Sequence, residues 1–94
     1  IINSILISDV IKKFCDNEII KLKFPNDVFV NGKKICGILQ ELITSRKNRY
    51  LIIGIGMNIV SNPNIVDKYK ATNIFYESKK KPKVLHIINS IIFY

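Results

Sequence analysis

The chain's scarcities narrow it first. Two cysteines, Cys15 and Cys36, are too few for a disulfide framework, and neither has a CxxC or His-rich neighbourhood. A stapled secreted scaffold and a cysteine-based metal site are therefore excluded, and free thiols in a reducing compartment are expected. No apolar run approaches the roughly 18–20 residues that span a bilayer. Residues 1–11 are apolar but lack the basic lead and small-residue cleavage site of a signal peptide, so the expected location is cytoplasmic, with no membrane partner. Acidic side chains number 7 against 15 basic ones, a net charge of +8. Such a balance raises nucleic acid as a partner. The one dense cluster, Lys79 to Lys83, is broken by Pro82, holds no interleaved aromatics and adjoins no helix-turn-helix or RNA-binding signature. It reads as a solvated loop, with no specific nucleic-acid partner. Glycine is scarce too. Gly54-Ile55-Gly56 is no phosphate loop, because no helix with Lys-Ser or Lys-Thr follows and the later glycines of a dinucleotide fingerprint are missing. His86, set among Leu85, Ile87 and Ile88, reads as structural.

What remains suffices for a fold. A hydrophobic content of 48% excludes a disordered chain, and 94 residues bound it to one small domain, 1–94. Ile2, Leu6, Val10 and Phe14 recur every fourth position, with Ile5, Ile7 and Ile11 widening the stripe, which predicts a helix over 1–14 that ends at Asp16-Asn17. Residues 19–24 predict a strand closed by Pro25. Residues 34–44 predict a long strand, and Ser45 to Asn48 a polar turn. The nearly continuous apolar run from Tyr50 to Val60 predicts a central strand covered on both faces, in which Gly54 and Gly56 bare one face. Ser61 to Lys70 is expected to be a polar loop, residues 71–76 a short turn or helix, and 84–94 a terminal helix. The order describes an α+β domain with a mostly antiparallel or mixed sheet flanked by helices.

The organising stretch is Lys23 to Leu39, KFPNDVFVNGKKICGIL. Two short apolar runs flank Asn31-Gly32, whose tolerance of positive φ is a strong hairpin signal. With a two-residue loop, Val30 faces Lys33, Phe29 faces Lys34 and Asp27 faces Cys36. Alternation then puts Asp27, Phe29, Lys34 and Cys36 on one side of the sheet. One carboxylate and one ammonium converge, provided the register holds.

A lysine facing a cleft can neutralise a carboxylate or phosphate and stabilise charge that develops in acyl or nucleotidyl transfer, while a nearby aspartate can orient an incoming amine. The plainer alternative for Asp27 and Lys34 is a surface cross-strand ion pair of little energetic weight. Lys33, on the opposite face, is expected to be solvated. Asn26 is either a turn-former or part of a site. Asn58, an amide in an apolar strand, must find backbone partners or point into a site. Gly37 admits close ligand approach or marks a bulge.

KFPNDVFVNGKKICGIL followed by IIGIGMNIV resembles the catalytic domain of biotin protein ligases, which share a Lys-Trp-Pro-Asn-Asp motif, a hairpin ending in Lys-(apolar)-(small)-Gly-Ile-Leu and a Gly-(apolar)-Gly-(apolar)-Asn strand. Lipoate ligases share part of the pattern, but the proline before Asn26 and the GIGMN strand favour the biotin branch. The resemblance implies a class II synthetase-like biotin/lipoate ligase fold, of which residues 1–94 would be the C-terminal half of the catalytic domain. It implies ATP-dependent formation of biotinyl-5′-AMP and acyl transfer to a lysine of a carboxylase's biotin carboxyl carrier domain, with Mg²⁺ accompanying ATP. By this likeness Lys34 contacts the carboxylate and α-phosphate, Asp27 lies near the acceptor lysine, Asn26 and Asn58 lie beside the nucleotide, and biotin packs on Gly37. Phe24 stands where the family has Trp. The Gly-Arg-rich adenylate loop and the DNA-binding and SH3-like domains of some members are not among these residues, so little turnover is expected of the 94 residues alone, and a noncatalytic binding remnant is a second reading. A homodimer is a further expectation.

Overall fold

The computed structural model describes residues 2–15, 18–62 and 70–93. Helix α1 (Ile2–Phe14) precedes four strands, β1 (Ile20–Lys23), β2 (Asp27–Val30), β3 (Lys33–Ser45) and β4 (Asn48–Met57), and helices α2 (Ile74–Ser78) and α3 (Val84–Ile92) follow. The strands form one sheet in sequential order, every neighbouring pair antiparallel. An isolated parallel bridge joins Lys34 to Ala71. The α+β expectation holds. The expected stop of α1 at Asp16-Asn17 and most of the expected loop over 61–70 lie outside the described residues.

The helices cover one face of the sheet. Ile7, Ile11 and Cys15 from α1 and its end, Ile74 from α2 and Ile87 from α3 pack with Val28, Val30, Ile35, Cys36 and Ile38 in the core. The buried stripe of α1 is Ser4, Ile7, Val10 and Ile11, whereas Ile2 and Ile5 are exposed. A four-residue step overshoots one helical turn by about 40°, so the line through 2, 6, 10 and 14 winds around the helix: Val10 is buried, Leu6 and Phe14 pack partly buried against the core, and Ile2 is exposed. His86 is structural, as expected: its ring meets Phe14 edge-on at 5.2 Å and joins α3 to α1.

Asn31 and Gly32 both take positive φ, 52° and 77°, the pattern of a two-residue hairpin turn whose twist matches its strands. Helix α2 starts at Asn73, whose side-chain oxygen accepts from the Tyr76 amide at 2.8 Å and satisfies one of the donors left free at a helix start.

The expectation of a central, doubly covered strand over residues 50–60 is corrected. β4 is an edge strand among the described residues, and its side chains from Asn48 to Gly56 are exposed. The helices pack over β2 and the first part of β3, and the β3–β4 ribbon extends beyond them. Continuous apolarity identified a strand with two apolar faces, but not what lies against them.

Candidate active site

The site face is the one the helices leave open. Along β2 and β3, Val30 opposes Lys33 and Phe29 opposes Lys34, as the turn predicts. A bulge then intervenes, so that Val28 opposes Cys36 and Asp27 opposes Gly37. Ile35 is the extra residue. This corrects the expected face: Asp27, Phe29 and Lys34 share it, but Gly37 takes the place assigned to Cys36, whose thiol turns into the core. The bulge is what brings glycine to the pair.

Lys34 Nζ lies 3.5 Å from Asp27 Oδ2, with both side chains about one-third exposed (34% and 32%). A methyl group on Gly37 would stand 3.5 Å from Asp27 Oδ1, 3.6 Å from Lys34 Cε and 3.7 Å from Lys34 Nζ. Gly37 in turn opposes Gly56, and Leu39 opposes Gly54. The three glycines share the face with Lys34 and Asp27 and make a backbone floor beside a carboxylate–ammonium pair. A flat apolar ring can lie on such a floor while its acidic end meets the ammonium.

The backbone of Lys34 is held from a second direction. Its N–H donates to the Lys70 carbonyl at 2.8 Å, and its carbonyl accepts from the Thr72 amide at 2.9 Å. Asn58 closes the same corner. Its amide N–H donates to Ile35 O at 2.9 Å, and its side-chain nitrogen donates to Thr72 O at 3.1 Å. Of the two alternatives open for Asn58, the side-chain amide nitrogen takes the backbone one. Asn26 is half-buried, and its carbonyl accepts from the Ile38 amide at 3.0 Å, which sets it beside Gly37.

Register also brings forward residues the sequence reading passed over. Lys23 opposes Asp27 and Lys21 opposes Phe29, so both lysines share the face with Lys34. Lys23 Nζ stands 5.1 Å from the centre of the Phe29 ring, a cation–π contact. The alternation in Ile-Lys-Leu-Lys carried this signal. Lys33 is not simply solvated. Its Nζ lies 3.8 Å from buried Glu77 and 4.7 Å from the centre of the Tyr76 ring.

Burial pushes the Cys36 thiol from 9.0 up to about 12, with Asp27 raising it further and Lys34 opposing. The folded state therefore keeps a proton that the unfolded chain loses. The stability this confers is complete below pH 9 and is lost as pH rises from 9 through 12. Cys36→Val is expected to flatten that fall. Between pH 8 and 10.5 the wild type should lose about 2 kcal/mol more than the variant in urea unfolding, and parallel losses would refute the assignment.

A model of the biotin/lipoate A/B protein ligase family matches residues 4–58, more than half of the chain, and the chain belongs to that family. Among curated relatives, the bifunctional ligase/repressor BirA of Bacillus subtilis is 48% identical over 44 residues, 46% of this chain and 14% of its own length. Biotin–protein ligase 2 of Arabidopsis thaliana is 36% identical over 62 residues, 60% of this chain and 18% of its own. The Leishmania major biotin protein ligase, solved in complex with biotin, superposes with a TM-score of 0.81 at 26% identity over 98% of this chain and 42% of that one. The same enzyme in complex with biotinyl-5-AMP gives 0.79 at 27% identity, with the same coverage. The chain thus spans less than a quarter of the length of these curated relatives and less than half of the solved chains.

Proposed function

We propose that this chain forms one wall of the adenylate site of a cytoplasmic biotin–protein ligase and corresponds to the C-terminal half of its catalytic domain. The observation that carries the reading is the convergence of Lys34 and Asp27 beside the Gly37–Gly56 floor, in a member of this family. In the reaction, a biotin carboxylate oxygen attacks the α-phosphorus of ATP, and pyrophosphate leaves. The amine of a carrier-domain lysine then attacks the acyl carbon, and AMP leaves.

Lys34 fits the first step. Its ammonium offsets the charge on the carboxylate and the α-phosphate oxygens as the new bond forms. Asp27, across the strand pair, orients the incoming amine and receives its proton. Gly37 and Gly56 accept the bicyclic ring, while Asn26 stands towards the nucleotide and Asn58, whose side-chain nitrogen is engaged by Thr72 O, offers it only the side-chain oxygen. Lys21 and Lys23 add positive charge to the same face, which favours a polyphosphate. No cluster of three or more His, Cys, Asp or Glu that could hold a metal occurs among the described residues. Mg²⁺ would accompany ATP, held largely by the phosphates and water.

Titration of ¹⁵N-labelled chain with biotinyl-5′-AMP tests the reading. Weak binding is expected, with shifts centred on Lys34, Gly37 and Gly56, and Gly37→Val should abolish them by filling the floor. Shifts confined to other residues, or an equal response to lipoyl-5′-AMP, would overturn the biotin assignment. Biotin-dependent pyrophosphate exchange by the 94 residues alone should be negligible.

A further inference from the structure

Glu77 is an acidic residue in a lysine-rich stretch, yet it is only 6% exposed. Its carboxylate joins two separate parts of the chain, the β2–β3 hairpin and the segment before α2. Oε1 accepts from Asn31 Nδ2 at 2.9 Å, in the hairpin turn. Oε2 accepts from Thr72 Oγ1 at 2.8 Å, and Lys33 Nζ lies 3.8 Å from the same oxygen.

Thr72 is the link to the site. Its amide donates to the Lys34 carbonyl, its carbonyl accepts from Asn58, and its hydroxyl donates to Glu77. Lys34 is thus flanked on one side by Asn31 and Lys33 and on the other by Lys70 and Thr72, and one buried carboxylate joins the two sides through Asn31, Lys33 and Thr72. Asn31 is held in addition by Glu18 Oε2 and the Ile19 amide. The bulge at Ile35 adds to the need for such an anchor. A bulge interrupts ladder pairing and leaves the local register to be set by other contacts.

We propose that Glu77 is a positioning residue that fixes the bulge of β3 and so aims the Lys34 ammonium at Asp27 and the glycine floor. The consequence for ligand binding rests on the reading of Lys34 as the group that meets the adenylate. The structural claim does not.

The test separates the two. Glu77→Gln keeps the side chain's size but offers one acceptor oxygen where two donors and an ammonium converge. Amide hydrogen exchange is expected to accelerate about tenfold or more at Lys34 and Thr72, consistent with the loss of a charge-assisted hydrogen bond. Exchange at Glu41 and Ile52, a hydrogen-bonded pair farther along the β3–β4 ladder, should be unchanged. Thr72→Val, which removes only the hydroxyl link, should reproduce the effect at Lys34 and carries the test if Glu77→Gln does not fold. Unchanged exchange at Lys34 and Thr72, or uniform acceleration across the sheet, would overturn the proposal, the latter because it marks a contribution to global stability alone. Local acceleration in a chain that binds no biotinyl-5′-AMP would retain the positioning role and reject the ligase reading. Local acceleration with about tenfold weaker adenylate binding supports both.

Discussion

Lys34→Met is expected to weaken binding of biotinyl-5′-AMP by roughly 10- to 100-fold, corresponding to the ~1.5–3 kcal/mol of a hydrogen bond to a charged group. The substitution keeps an unbranched apolar stem and removes only the ammonium. It should leave the fold in place, because the backbone bonds of Lys34 to Lys70 and Thr72 do not involve the side chain. The lost pair with Asp27 is long and partly solvated, and such pairs contribute no more than about 1 kcal/mol. A large effect on binding with a small effect on unfolding separates a ligand-contacting lysine from a surface ion pair. Lys34→Arg should not rescue binding fully. A guanidinium is a broad planar fork, and the space between Gly37 and Asp27 holds a single ammonium at 3.5 Å. The measurement is the same ¹⁵N titration, run beside urea unfolding of each variant. Unchanged affinity in Lys34→Met would remove Lys34 from the site and with it the main support for the ligase reading.

The hairpin was legible because its signals are local. Asn31-Gly32 demands positive φ, and the two flanking apolar runs set the strands. The meeting of Asp27 with Lys34 followed from turn length alone and survived an error in register. The bulge was not legible, because Val28-Phe29-Val30 and Ile35-Cys36 are consecutive apolar residues, and a run without alternation does not say which residue is the extra one. The same ambiguity displaced Gly37 from the expected face and put Cys36 there instead.

Two other residues show where local reading ends. Glu77 sits in Tyr-Glu-Ser-Lys-Lys-Lys, which reads as solvated surface, because its partners Asn31, Lys33 and Thr72 reach it only through the fold. Asn58 is an amide that an apolar strand must satisfy, yet its acceptor, the Thr72 carbonyl, lies 14 residues on. The family motifs supplied what periodicity could not, a chemical reason for the convergence, and the matched span 4–58 covers the elements that build it.

Self-association of the isolated chain is the other large expected effect. Beyond the helices, the ribbon exposes Leu39 (80%), Ile43, Tyr50 and Ile52 on one face and Leu42, Leu51 (56%) and Ile53 (39%) on the other. β4 also presents an unpaired edge among the described residues, which is a template for another strand. Covering four such side chains contributes about 6–12 kcal/mol before association costs, and those costs are of the order of 4–15 kcal/mol. Edge-to-edge backbone pairing adds to the favourable side, so oligomers are expected at micromolar concentration. The net charge of +8 opposes them, and salt screens that repulsion. Association should therefore strengthen with ionic strength, the reverse of binding to a polyanion. Leu51→Lys with Ile53→Lys replaces two exposed apolar residues by the charge that commonly guards sheet edges. It should shift sedimentation velocity profiles towards monomer with little loss of core packing, since neither residue belongs to the core. A wild-type chain that stays monomeric at ~100 µM in 0.5 M salt, where the Debye length is only a few ångströms, would mean that the ribbon's apolar faces do not drive association. In that case the two-lysine variant should behave no differently from the wild type.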